Sequence, residues 1–421
     1  MGTLLIVLYL CTGHLVAWQR GHREIAIVTV ASAVAMSLVL FVTTHNLIPF
    51  NISLLCAAAA SEFAACRGRW LGQRWMAALV VDFAIITKAW IFSQSTLPEG
   101  YAPLAQSSVL AIQLTLVLLY LLSTAYRTFA AHTVISVFEL AQNVVAIGLL
   151  ILGQFIMAPA SGQHRLAGVI SAILALACYT ASILPSHTKA QRNSLAFSIF
   201  GLALLVAAVT VLFPTGNRVF AWYVLGVGAA CLGNRQHQMS MQWHAPVYLF
   251  GAVLGSDLIQ IPNQSLTRLV VPRADHLTAM LISTAAIGLA YTFVGSGPAA
   301  KTRIPALFCA ALLVWSVVGL GAIAIKAICG DLLFATSLRI GLICLAAIGS
   351  AHWGMLSRSH ADRPEWVWLS FPLMLYGALR IMVEDLPSGR PAATALSLLL
   401  YGGTLLLLTR ILRPRIRPEP R

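Results

Sequence analysis

Apolar runs close to twenty residues long recur from one end of this chain to the other, and this recurrence limits its possible folds more than any other feature. In hydrocarbon every backbone N–H and C=O must find a partner within the protein, which leaves helices and closed barrels as the spanning structures. A run of about 20 apolar residues is what a helix needs to cross the ~30 Å core of a bilayer, whereas a barrel strand needs about half that. Composition agrees. Of 421 residues, 59% are hydrophobic and 10% charged, against about 25% charged in a water-soluble globule. The expected fold is an all-α polytopic membrane protein of about 15 transmembrane helices (14 to 15) joined by short loops, with no soluble domain.

Hydropathy draws the spans at 3–17, 25–42, 47–66, 75–93, 107–125, 134–157, 166–184, 195–213, 219–233, 245–261, 277–295, 304–325, 332–349, 366–383 and 391–408. The run from Val219 is short enough to tilt or re-enter. One transmembrane domain over 1–409 and a basic tail over 410–421 follow from this drawing.

Charge orients it. Cytoplasmic loops hold the excess of Lys and Arg, and with the N-terminus outside, 18 of the 27 basic residues fall inside, Arg74 and Arg127 among them. Six fall outside, and three, Lys88, Arg339 and Arg380, fall within spans. Arg20 and Arg23 follow the first run, so that run is expected to be retained with its N-terminus out. The expected setting is a bacterial-type inner (plasma) membrane, with the C-terminus cytoplasmic. There Arg410, Arg413, Arg415, Arg417 and Arg421 would meet anionic lipids. The net charge of +14 punctuates apolar runs instead of gathering on one face, which argues against nucleic acid. The bilayer, and other membrane proteins, are the partners to expect.

Several chemistries lack their signatures. The eight cysteines stand singly, with no Cys-x-x-Cys pair, so no metal site is expected. Of eleven histidines only His14 lies deep in a span, which offers no bis-His haem, and no cofactor is expected. A Gly-rich phosphate loop is absent as well.

Functional information should lie where a span keeps an ionisable residue, since a charge at the bilayer centre costs about 2.5–3.5 kcal/mol on insertion scales. Glu62, Asp82, Glu139 and Asp257 are the acids, and Lys88, Arg339 and Arg380 the bases. Ser136, Gln142 and Asn143 share a helical face with Glu139. Such a stripe either lines a cation or proton path or bonds neighbouring helices. Arg339 needs a partner, and Asp257 is an acid of compatible depth.

Tyr376, Arg380 and Glu384 share a face at the outer end of the fourteenth span, with Asp385 beside them. Over residues 376–385 this stretch resembles the Arg-x-x-x-Glu stretch of prolipoprotein diacylglyceryl transferases. That resemblance implies contact with a phospholipid, although the family's His-Gly-Gly and Gly-Arg-x-Gly-Asn stretches are absent.

Three functions are open. The first is a transporter, channel or lipid flippase whose path is lined by Glu62, Asp82, Lys88, Glu139, Gln142, Asn143, Asp257, Arg339 and Arg380. The second is a non-catalytic membrane subunit or scaffold. The third is a membrane-embedded transferase on a lipid-linked substrate, with Arg380, Glu384 and Asp385 as candidate catalytic residues and one of the two carboxylates as general base. No motif makes the chain an enzyme.

Overall fold

The structure, a computed structural model, describes residues 2–94, 97, 99–101, 105–156, 163–183, 191–236, 238–256, 258–260, 263–264, 274–294, 303–329, 335–357, 363–387 and 390–413. Among these residues there are helices and turns and no strand. The helices are α1 (Gly2–Arg20), α2 (Arg23–Thr44), α3 (Leu47–Cys66), α4 (Arg74–Ser93), α5 (Gln106–Phe129), α6 (Val137–Ile156), α7 (Gln163–Ile183) and α8 (Gln191–Leu212). They continue with α9 (Thr215–Arg235), α10 (Met239–Gly255), α11 (Ala274–Val294), α12 (Arg303–Cys329), α13 (Ala335–Ser357), α14 (Glu365–Arg380) and α15 (Pro391–Leu412).

Each segment drawn from hydropathy overlies one of these helices. Eleven of them are long and apolar enough to cross a membrane, so the chain reads as a helical membrane protein. The short run from Val219 belongs to the 21-residue α9. Most helices outrun their drawn limits, because polar and charged end residues such as Arg20 and Arg235 continue the helical turn. Their alkyl stems can lie along apolar surface while their heads reach the interface. Leu79, Phe83 and Trp90 on α4, and Leu399 and Leu406 on α15, turn large apolar side chains outward. An outward face of that kind suits lipid.

The helices gather into two compact units, Met1–Phe213 and Pro214–Arg421. In the first, α3 touches α1, α2, α4 and α5, and α6 touches α4, α5 and α8, so α3–α6 form the centre. Lipid is as apolar as leucine, hence helices associate there through close packing and polar contacts more than through hydrophobic transfer. The packing is supplied by small residues, Ala57, Ala58, Ala64 and Ala65 on α3 and Ala77, Ala78 and Ala84 on α4, all buried. Phe50, Leu54, Ile85, Leu116, Ile147 and Leu150 fill the spaces between.

In the second unit α9 packs on α10 and α11, α12 on α11, α13 and α14, and α13 on α14 and α15. A Cβ on Gly354 would lie 2.9 Å from the Val367 backbone nitrogen, so the bare backbone of α13 lets α14 approach. After Arg380 the chain makes one π-helical turn, Ile381–Asp385.

Candidate functional site

The charged residues of the first unit meet at the end of the bundle formed by the α3–α4 and α5–α6 turns. Arg74, the first residue of α4, donates Nε and Nη2 to the two carboxylate oxygens of Glu62, each at 2.7 Å. Its Nη2 also lies 3.5 Å from Glu139 Oε1. The same oxygen accepts from Arg127 Nη1, while Glu62 Oε2 accepts from the Ser123 hydroxyl. The result is an alternating chain, Glu62–Arg74–Glu139–Arg127, drawn from four helices. Arg74 further stacks over the Phe138 ring, its guanidinium carbon 4.5 Å from the centroid. A planar, delocalised guanidinium with several donors is suited to two carboxylates and a ring at once.

Local sequence places these groups. Ser136 donates its backbone N–H at 2.7 Å and its hydroxyl at 2.9 Å to Glu139 Oε2, and Glu139 N–H returns a 3.3 Å bond to Ser136 Oγ. That is a capping box, in which a Ser and a Glu three residues on satisfy free N–H groups at a helix start. Ser136 therefore caps α6 and is not part of its face, a correction to the drawn span, which began at Val134. Asn193 on α8 holds the same turn, accepting from Ile135 N–H at 2.8 Å and donating to the Thr133 carbonyl at 3.2 Å.

Beyond the ion pairs the polar residues continue along the bundle. Asn143 donates to Thr124 Oγ1 at 2.9 Å, and Gln142 donates its amide to both oxygens of Asp82, at 3.0 and 2.9 Å. Asp82 is buried, with a neutral amide as its bonded partner. Six residues further on α4, Lys88 is fully buried, and its Nζ has no hydrogen-bond partner among the described residues. Gln113 on α5 is buried, and among the described residues both its side-chain polar atoms are likewise unbonded. It lies against Gly153 of α6, where a Cβ would come 2.1 Å from its Oε1. Arg74 to Lys88 on α4, and Gln113 to Arg127 on α5, each cover about 20 Å of helix at ~1.5 Å per residue. A column of buried polar side chains thus follows α3–α6 through most of a bilayer's thickness.

The second unit has a different polar inventory. Arg339 is buried, and because α13 runs on to Ser357 it lies in the first half of that helix instead of its middle. Asp257, its candidate partner, lies outside the described residues. Tyr291 on α11 donates its hydroxyl to Glu365 Oε1 at 3.0 Å and accepts from Trp366 Nε1 and, at 3.3 Å, from Arg363 Nη1. At the far end of α14, Arg380 donates to Glu384 and lies 5.6 Å from the Tyr376 centroid. Tyr376 donates to Asn263 Oδ1 at 3.2 Å. Asp385, in the π-turn, is buried.

Of the residues singled out from sequence, the fold brings Glu62, Asp82, Lys88, Glu139, Gln142 and Asn143 into one four-helix core. Arg339 and Arg380 belong to the other unit. Sequence reasoning missed Arg74, Arg127, Ser123, Gln113 and Glu365, and it counted the two arginines as loop bases. A signal existed: Glu62 and Arg74, like Arg127 and Glu139, are 12 residues apart across a short turn, the spacing that sets opposite charges face to face in a tight hairpin. Among the described residues, no group of three or more His, Cys, Asp or Glu side chains is placed to hold a metal ion. No protein-family model, curated protein or solved structure matches the chain.

Proposed function

We propose that the chain is a multi-pass protein of a bacterial-type inner membrane, N-terminus outside and basic C-terminus cytoplasmic, that moves a proton or small ion through α3–α6. The observation that carries this reading is the polar column, above all Lys88 within it, buried and unbonded among the described residues. A buried ammonium without a partner is expensive, and ionisable groups kept inside a membrane mark ion and proton pathways by default. In this reading the alternating Glu62–Arg74–Glu139–Arg127 chain closes the end of the path at the α3–α4 and α5–α6 turns. Asp82 and Lys88, about 9 Å apart along α4 at the helical rise, are the groups free to exchange a proton, because among the described residues neither is consumed by an ion pair.

The test is flux through the full-length protein in liposomes carrying an entrapped pH dye. Wild-type protein should dissipate an imposed pH gradient faster than empty liposomes do, and Lys88→Met should abolish the difference. Wild-type liposomes as tight as empty ones would overturn the reading.

One observation favours a second reading, the non-catalytic subunit or scaffold. The four ion-paired residues satisfy one another, as side chains that stitch helices together do. Recovery of a second membrane protein in fixed stoichiometry with the tagged chain, and a flux no greater than that of empty liposomes, would support that reading over transport.

A further inference from the structure

The crevice between α1 and α3 carries features that the polar column does not use. It is an open groove of about 500 Å³ whose lining includes Leu10, His14, Trp18, Ala60, Phe63 and Arg67. That volume falls in the ~300–1,000 Å³ range of small-molecule sites. Its wall is apolar along the helices and basic at one end. There Arg67 lies over the Phe63 ring, 5.5 Å from the centroid, and Arg69 over Trp18, at 4.4 Å. Arg69 Nη1 is also 3.4 Å from the Trp18 carbonyl oxygen. Contact with a ring face holds a guanidinium in place and leaves N–H groups at its edge for an oxyanion. Arg20 closes α1 and Arg23 opens α2, with Glu24 the acid next to them in sequence.

A second, independent feature lies deeper. His14 Nδ1 is 3.2 Å from the Leu10 carbonyl, which can only accept, so this nitrogen carries the proton. The other ring nitrogen, Nε2, is buried and has no hydrogen-bond partner among the described residues. His14 is one helical turn from Trp18, about 6 Å further along the groove at the helical rise. With Nδ1 protonated and the ring neutral, Nε2 only accepts, as a lipid's ester oxygens do, so the two would meet through a water that donates to both, at the depth of the glycerol of a lipid whose phosphate rests at the arginines.

We propose that this groove binds one anionic glycerophospholipid: an acyl chain along α1 and α3, the phosphate at Arg67 and Arg69, and the hydrated glycerol–ester region level with His14. The order of groups along the groove argues for a lipid over a protein helix, since guanidiniums framed by aromatic rings sit at one end and an apolar channel runs away from them. This proposal is independent of the transport reading.

The experiment uses the full chain in nanodiscs of equal parts phosphatidylglycerol and phosphatidylcholine, extracted into mild detergent for native mass spectrometry. One retained phospholipid per chain is expected, with phosphatidylglycerol favoured about thirtyfold, as two interfacial arginines would give. The double change Arg67→Gln with Arg69→Gln should erase that preference, and Ala60→Trp should fill the groove and release the lipid. Water-soluble glycerophosphoglycerol should not compete, because it has no chain for the groove. Equal retention of the two lipids by wild-type protein would overturn the proposal whether or not the variants fold. So would a bound lipid that survives Ala60→Trp, or one displaced by the free headgroup.

Discussion

Glu62, Arg74, Glu139 and Arg127 in the first unit, and Arg380 with Glu384 in the second, are both arginine–carboxylate assemblies, yet their surroundings give them different weight. The carboxylates differ most: the Glu62 and Glu139 side chains are 3% and 2% exposed, whereas that of Glu384 is 26% exposed. The first assembly crosses four helices, and its two inner members, Arg74 and Glu139, each pair with two others. The second joins two residues one turn apart on one segment, with Arg380 also over the Tyr376 ring. Removing one partner of a buried pair leaves a charge with nothing to balance it, while a pair at a helix end loses little because water and headgroups replace the missing partner. The same residue types therefore tie helices together in one unit and finish a helix in the other.

That contrast can be broken by substitution. Arg74→Met should have the largest effect, a loss of about 3–5 kcal/mol from leaving the buried Glu62 without its arginine while Glu139 keeps Arg127, read as a fall in thermal unfolding temperature in detergent. Adding Glu62→Gln should recover part of the loss, with a coupling of about 0.5–3 kcal/mol between contacting sites. Strict additivity would mean that the two side chains do not act together. In the second unit the sensitive element is packing: Gly354→Ala would push a methyl to within 2.6 Å of Val367 Cγ2 and 2.9 Å of its backbone nitrogen. It should cost about 1–3 kcal/mol. Arg380→Gln should change stability least, by about 1 kcal/mol or less. A loss there as large as that from Arg74→Met would erase the distinction between the two assemblies.

The helical segments were readable because a spanning helix satisfies its own backbone, so twenty apolar residues in a row leave few alternatives. Within the site, Glu62, Asp82, Lys88 and Glu139 were readable for the opposite reason: each is costly where it stands. Their partners were not. Arg74 and Arg127 lie within a turn of helix ends, where a long basic side chain ordinarily reaches toward the interface, and only the fold shows them turned inward. Ser136 misled in a related way, since three-residue spacing to Glu139 describes both a shared helix face and a capping box. Gln113 was hidden because an uncharged amide in a long apolar helix stands out little until the helix beside it offers Gly153.

On the proposed reading Lys88 contributes to function and not to stability, unlike the ion-paired residues at the end of the bundle. This is tested most directly by measuring unfolding temperature and proton flux on one preparation of the full-length Lys88→Met protein. A buried polar group without a partner weakens a fold, so the variant should unfold at a higher temperature than wild type and carry no flux. A variant that unfolds earlier while its flux is unchanged would contradict the account, since the amine would then be a structural tie like Arg74.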